Sequence, residues 1–72
     1  MLNEKLLEAL NRYHRREGRN PNAIHIHPTY YKNVLKELNY PEWIIQKKEI
    51  EQKKSLFGVR AILTNDVETF KL

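Results

Sequence analysis

The sequence predicts an α+β fold, a small three-stranded mixed sheet with helices packed on one face. Three observations predict it: two segments place apolar residues at helical spacing, shorter segments alternate apolar and polar residues, and turn residues separate these segments. A chain of 72 residues has room for one domain, residues 1–72. The expected order of elements is helix, strand, helix, a less regular helix, strand, strand.

The first helix is predicted over residues 3–17. Asn3 is a suitable N-cap, and Gly18 stands where many helices end in a left-handed residue. The apolar residues that recur at helical spacing are Leu2, Leu6, Leu10 and Tyr13. This helix should bury one face and expose the other.

A short strand and a second helix follow a turn at residues 19–22. Residues 23–27 alternate two isoleucines with two histidines, which predicts a strand. Pro28 or Thr29 begins the helix, as a first-turn proline or as an N-cap, and Asn39 ends it before a proline. One arc of this helix carries its apolar side chains, Tyr30, Tyr31, Val34, Leu35 and Leu38.

Residues 42–54 have a weaker pattern. Pro41 suits a helix start, and the Gln, Lys and Glu content favours helix. Only Trp43 and Ile50 share a face of that helix. We expect a mostly exposed helix, and the alternative is a mobile connector over residues 42–55.

The C-terminal residues are predicted to form a hairpin around a turn at Asn65-Asp66. In this register Leu63 faces Glu68, Ala61 faces Phe70, and Val59 faces Leu72. The polar face of the hairpin then holds Arg60, Thr64, Thr69 and Lys71. Because helices join residues 23–27 to residues 57–64, these two strands should pair in parallel.

Composition excludes several classes of protein. The chain has no cysteine and a net charge of +4, and it has no apolar run of the roughly 20 residues that cross a bilayer. Its N-terminus lacks the apolar core of a signal peptide. We therefore expect a soluble cytoplasmic protein without a membrane partner. It has two glycines and no glycine-rich phosphate loop, and Ser55 is its single serine, so we expect no enzyme, no catalytic residues, no cofactor and no small-molecule substrate.

Two histidines invite a metal interpretation. His25 and His27 alternate on the predicted strand, so their imidazoles would point the same way. Only His14 remains as a third imidazole, and no carboxylate stands at a recognisable ligand spacing. Half-exposed histidines on a strand need no metal. We therefore expect no metal site.

A row of arginines on the first helix carries the alternative function. Arg12, Arg15, Arg16 and Arg19 could bind phosphates and make this a small nucleic-acid-binding protein. Cations near a helix C-terminus also complement its dipole, and Glu8 precedes Arg12 by one helical turn. A solvated helix face is the preferred interpretation.

The favoured function is a non-enzymatic protein-interaction module, with a protein partner or with self-association. Large exposed aromatic residues often anchor interfaces, although Trp43 could equally cap the core. A partner could also extend the outer edge of the hairpin. The predicted interface residues are Tyr40, Trp43, Ile44, Ile45, Arg60, Thr69 and Lys71.

Residues 20–72 resemble the axial-domain βαβ segment of tailed-bacteriophage major capsid proteins. The matching pieces are Pro21, AIHIHP at 23–28, YYKNVLKEL at 30–38, LFGVRAIL at 56–63 and TNDVETFKL at 64–72. In that family the segment is a crossover in a domain that packs around the symmetry axis of the capsomer. The sequence contains no counterpart of the long spine helix, the N-terminal arm or the extended loop. The resemblance therefore implies a small phage or prophage protein that serves as an accessory or assembly component.

Overall fold

Three helices and four short strands make up the fold, and the computed structural model describes residues 1–72. The elements are α1 (Leu2–Glu17), β1 (Ile24–Ile26), α2 (Pro28–Glu37), α3 (Glu42–Ile50), β2 (Lys54–Leu56), β3 (Val59–Leu63) and β4 (Phe70–Lys71). The predicted α+β class and mixed sheet are confirmed. The sheet has four strands rather than three, in the order β2-β3-β1-β4.

The central pair of the sheet is parallel, as predicted. Ile24 of β1 lies opposite Ala61 of β3, and Ile26 lies opposite Leu63. On the other side of β3, β2 pairs antiparallel through a turn at Phe57-Gly58. The parallel pair therefore lies inside the sheet, and β2 and β4 form its edges.

The hairpin predicted around Asn65-Asp66 is wrong. β4 pairs antiparallel with β1, placing Phe70 opposite Ile26 and Lys71 opposite His25. A strand has room for only two neighbours, and β1 and β2 already occupy both sides of β3. The chain therefore crosses the end of β1, where the Thr64 amide donates to the Ile26 carbonyl at 3.0 Å, and β4 runs back along the far side of β1.

Alternation along each strand separates a buried face of the sheet from an open one. Ile24 and Ile26 are buried, and His25 between them is exposed. In β3, Val59 and Ala61 are buried and Arg60 is exposed. Leu56 of β2 is also buried, and the helices contribute the rest of the core, with the side chains of Leu6, Leu10, Tyr30, Tyr31, Val34, Leu35 and Ile45. The opposite face of the sheet is not covered by any helix.

The ends of the helices explain their lengths. Gly18 closes α1 in the left-handed conformation with a φ of 71°, as expected. The start of α1 differs from the prediction, since the Glu37 carboxylate of α2 accepts from the Leu2 amide at 2.9 Å. Pro28 is the first residue of α2, and the Nδ1 atom of its N-cap, His27, accepts from the Thr29 amide at 3.1 Å. Asn39 follows α2 with a positive φ of 65°.

Residues 42–50 form a helix, as the preferred interpretation of this segment predicted. α3 packs on α2 and places one side chain, Ile45, in the core. Lys32 of α2 lies 3.8 Å from the Glu42 carboxylate at the start of α3. No helix of the chain is both long and apolar enough to span a bilayer.

Candidate functional site

The solvent-facing side of α3 exposes two large apolar side chains. Trp43 is 68% exposed and Ile50 is 82% exposed. The two residues are seven positions apart, so they lie on nearly the same side of the helix, about 10 Å apart along its axis. Gln46 and Lys47 lie between them and are also exposed. We call Trp43, Gln46, Lys47 and Ile50 the α3 face.

The predicted interface residues around Trp43 do not all belong to this surface. Ile45 is only 1% exposed, so it offers almost no surface to a partner. The reason is its position on α3, about 200° around the helix from Trp43, which points it into the core. Ile44 is half-buried. Tyr40 is 39% exposed and lies beneath the Lys48 ammonium, 5.0 Å from its ring centroid.

The remaining predicted interface residues lie on the open face of the sheet. Arg60, Thr69 and Lys71 are all exposed. Arg60 lies on an interior strand and therefore does not mark a sheet edge. Lys71 is on the edge strand β4, and the Thr69 carbonyl accepts from the His27 amide at 2.8 Å. The structure thus divides the predicted interface between α3 and the sheet.

The arginines of the alternative function are all exposed, but they differ in their partners. Arg12 forms an ion pair with Glu8 at 2.5 Å, and Arg16 lies 3.4 Å from the Glu17 carboxylate and over the Tyr13 ring. Arg19 approaches the Asn22 side chain at 3.5 Å. Neither Arg15 nor Arg19 forms an ion pair with a carboxylate, so these two are free to meet an external anion.

The two histidines considered as metal ligands lie in different surroundings. His25 points out from the open sheet face, and His27 lies beyond the end of β1 and caps α2 through its Nδ1 atom. No group of three or more potential ligand residues converges anywhere in the chain.

Two buried tyrosines have raised pKa values. Burial raises the pKa of Tyr31, and the charges of Glu51 and Glu49 raise it further. Burial also raises the pKa of Tyr30, with a smaller contribution from Glu37. The Tyr30 hydroxyl donates to the Leu2 carbonyl at 3.2 Å. Both rings belong to the core, so burial is the main cause of both shifts.

Two exposed apolar residues were missed by the sequence analysis. Ile50 was placed on the same helix face as Trp43 but was not assigned to the interface, although that seven-residue spacing was the signal for it. Phe57 is 37% exposed at the tip of the β2–β3 turn. The signal for this turn was the pair Phe57-Gly58 between two short alternating segments, which is the pattern of a two-residue hairpin. The sequence analysis placed the hairpin at Asn65-Asp66 instead.

Comparison of the chain with protein-family models, with curated proteins and with solved structures found no match. The resemblance to phage capsid proteins therefore stays a prediction from the pattern of residues.

Proposed function

We propose that this protein is a non-enzymatic protein-interaction module that binds a partner, or a second copy of itself, through the α3 face. The observation that supports the proposal is the 68% exposure of Trp43, with Ile50 beside it, on a helix that already buries Ile45. Trp is enriched among the residues that dominate binding energy at interfaces. Its large apolar surface gains most when a partner removes it from water.

The neighbouring residues Trp43 and Ile45 provide a matched pair of variants. Trp43→Ala should leave the free energy of unfolding within about 0.5 kcal/mol of the wild type, because the side chain is mostly in water. Ile45→Ala should lower the free energy of unfolding by about 2–5 kcal/mol, because it leaves a cavity in the core. Urea denaturation of both variants separates binding from folding.

The binding test compares wild type and Trp43→Ala by sedimentation velocity, alone and after addition of candidate partners. Wild type should sediment as more than its monomer mass of 8.7 kDa, either by itself or with a partner. Trp43→Ala should remain monomeric under the same conditions. Gln46→Ala changes an exposed position on the same face and serves as the control. It should associate more strongly than Trp43→Ala. Association unchanged by Trp43→Ala would contradict the proposal.

We also propose that the module belongs to a phage or prophage and serves in accessory or assembly work. The support is the pattern shared with capsid proteins, in which a parallel β1–β3 pair flanks a helical crossover. The expected observation is a gene located beside head or tail genes. A gene located among unrelated metabolic genes would contradict this assignment.

A second candidate function is nucleic-acid binding by the arginines of α1 and of the turn that follows it, and the exposure of Arg15 and Arg19 without ion-pair partners favours it. Phosphate binding by these cations should weaken steeply as salt rises, whereas apolar binding at Trp43 should respond little. A gel-shift titration at low salt tests the candidate, with Arg15→Ala and Arg19→Ala expected to weaken retardation. Absence of retardation by wild type would exclude it.

A further inference from the structure

The edge strand β2 leaves backbone groups free for another chain. Leu56 and Val59 adjoin the two-residue turn, so they form a hydrogen-bonded pair. The next pair, Ser55 and Arg60, is then a non-hydrogen-bonded pair, because antiparallel ladders alternate between the two kinds. The N–H and C=O of Ser55 therefore point away from β3, towards the open edge of the sheet.

Two depressions meet at Ser55. One is a cleft of about 400 Å³ between the end of α2, α3 and the β2–β3 turn. Five of its seven lining residues are hydrophobic, and the full set is Leu35, Leu38, Tyr40, Lys48, Ser55, Leu56 and Phe57. The other is a basic hollow of about 450 Å³ lined by Lys53, Lys54, Ser55 and Arg60. No carboxylate lines either depression. We call these the β2 cleft and the β2 hollow.

Phe57 lines the β2 cleft from an unfavourable backbone position. Its φ is 51° and that of Gly58 is 76°, the signs required at both centres of a type I′ turn. Bulky side chains rarely adopt this conformation, and Asn is preferred at this place in the turn. The turn therefore places an aromatic ring at the edge of the β2 cleft, although its backbone conformation alone favours a small polar residue at this position.

We propose that the β2 edge binds an extended segment of a partner protein in which an apolar residue directly adjoins an acidic one. This inference rests on the proposed function as an interaction module, but it assigns a second surface and the chemistry of its ligand. Backbone hydrogen bonds to Ser55 would extend the sheet by one strand.

Side chains alternate between the two faces of an added strand, so its register decides which partner side chain enters the β2 cleft and which lies over the open face of the sheet. A residue opposite Leu56 points to the helix side of the sheet and enters the β2 cleft. Its neighbour, opposite Ser55, points to the open face of the sheet, where Arg60 lies. The apolar cleft and the basic hollow thus match an apolar–acidic pair of neighbouring residues. Charge complementarity selects a carboxylate for the second position.

The experiment titrates the ¹⁵N-labelled full chain with a blocked synthetic peptide, acetyl-Thr-Leu-Glu-Leu-Glu-Thr-amide, and follows the amide shifts by NMR. Shifts should concentrate at Lys53–Phe57, and the Ser55 amide should become protected from solvent exchange. A peptide with Lys in place of Glu is the charge control and should bind at least about tenfold more weakly.

Variants locate the two halves of the site. Arg60→Glu should weaken binding of the acidic peptide about tenfold, and Arg15→Glu, which changes the net charge equally on α1, should not change it. Phe57→Asn retains a residue suited to the turn, so it keeps the hairpin, and it should also weaken binding about tenfold. Retained amide shifts elsewhere in each variant confirm that the fold is intact.

Three results would overturn the inference. The first is the absence of amide shifts at β2, and the second is peptide binding at the α3 face instead. The third is stronger binding of a single-stranded oligothymidylate than of the peptide at Arg60, which would make the hollow a phosphate site. Loss of β2 binding together with Trp43-dependent association would leave the proposed function standing and remove only this inference.

Discussion

At the scale of the residue, Glu37 links two helices by capping one from the other. Its carboxylate accepts from the amides of Leu2 and Asn3, at 2.9 and 3.4 Å. These amides belong to the start of α1, where helical N–H groups lack partners and the dipole favours negative charge. A local rule selected Asn3 as the cap, whereas a residue more than thirty positions away does that work.

Glu37→Ala should lower the free energy of unfolding by about 1 kcal/mol, because it removes this cap. Glu37→Gln keeps an oxygen acceptor and loses the charge, so its effect should be smaller. Urea denaturation measures both, and Glu4→Ala in the exposed first turn of α1 is the control. An equal effect of Glu4→Ala and Glu37→Ala would contradict the assignment.

Tyr31 predicts a loss of stability in alkaline solution. Its pKa in the folded chain is raised above the ordinary value of 10.0, first by burial and then by Glu51 and Glu49. As the pH rises above about 10, the unfolded chain releases the proton more readily, so the free energy of unfolding should fall. Below that pH this contribution should be constant.

Urea midpoints measured between roughly pH 9 and 11 should show this decline in the wild type. Tyr31→Phe should show a shallower decline, because it removes one of the two tyrosines whose pKa is raised in the folded chain. An unchanged slope in Tyr31→Phe would show that other groups cause the decline.

At the scale of the element, the sequence predicted which side chains of a strand are exposed better than it predicted which strands pair with each other. Arg60, Thr69 and Lys71 are exposed on one face of the sheet, as the alternation indicated, although the predicted hairpin register was wrong. Alternation is a property of one strand and survives a change of neighbour. The choice of neighbour depends on competition, and the short β2 segment took the side of β3 that had been assigned to β4.

The same distinction explains the helices. Both α1 and α2 carry long apolar stripes, and their predicted positions are confirmed to within a residue or two at each end. α3 contributes only Ile45 to the core, so its periodicity was weak. That weakness predicted an exposed helix, but it could not identify which isoleucine packs inward. Tertiary contact with α2 decides this.

The β2–β3 turn offers a direct test of its backbone conformation. Gly58→Ala should lower the free energy of unfolding by about 1 kcal/mol or more, because its φ of 76° disfavours any side chain. Gly18→Ala, with a φ of 71°, should cost a similar amount. A Cβ at either position would meet no atom within 4 Å, so both costs are conformational. A negligible cost at Gly58 would contradict the turn.

At the scale of the whole molecule, a small core coexists with distinct exposed surfaces. Twelve buried apolar residues form one cluster, and they come from all three helices and from β1, β2 and β3. The α3 face, Ser55 and Phe57 at the β2 edge, and the open sheet face lie outside that cluster. Single substitutions at these surfaces can therefore test binding without removing the core.

The most direct test of the central claim uses Trp43 as its own reporter, since it is the only tryptophan. Its fluorescence should be readily quenched by acrylamide in the free protein and become protected as the protein associates with itself or with its partner. Association confirmed by sedimentation should follow the same concentration dependence as this protection. Association that leaves the quenching of Trp43 unchanged would contradict the claim that the α3 face is the interface.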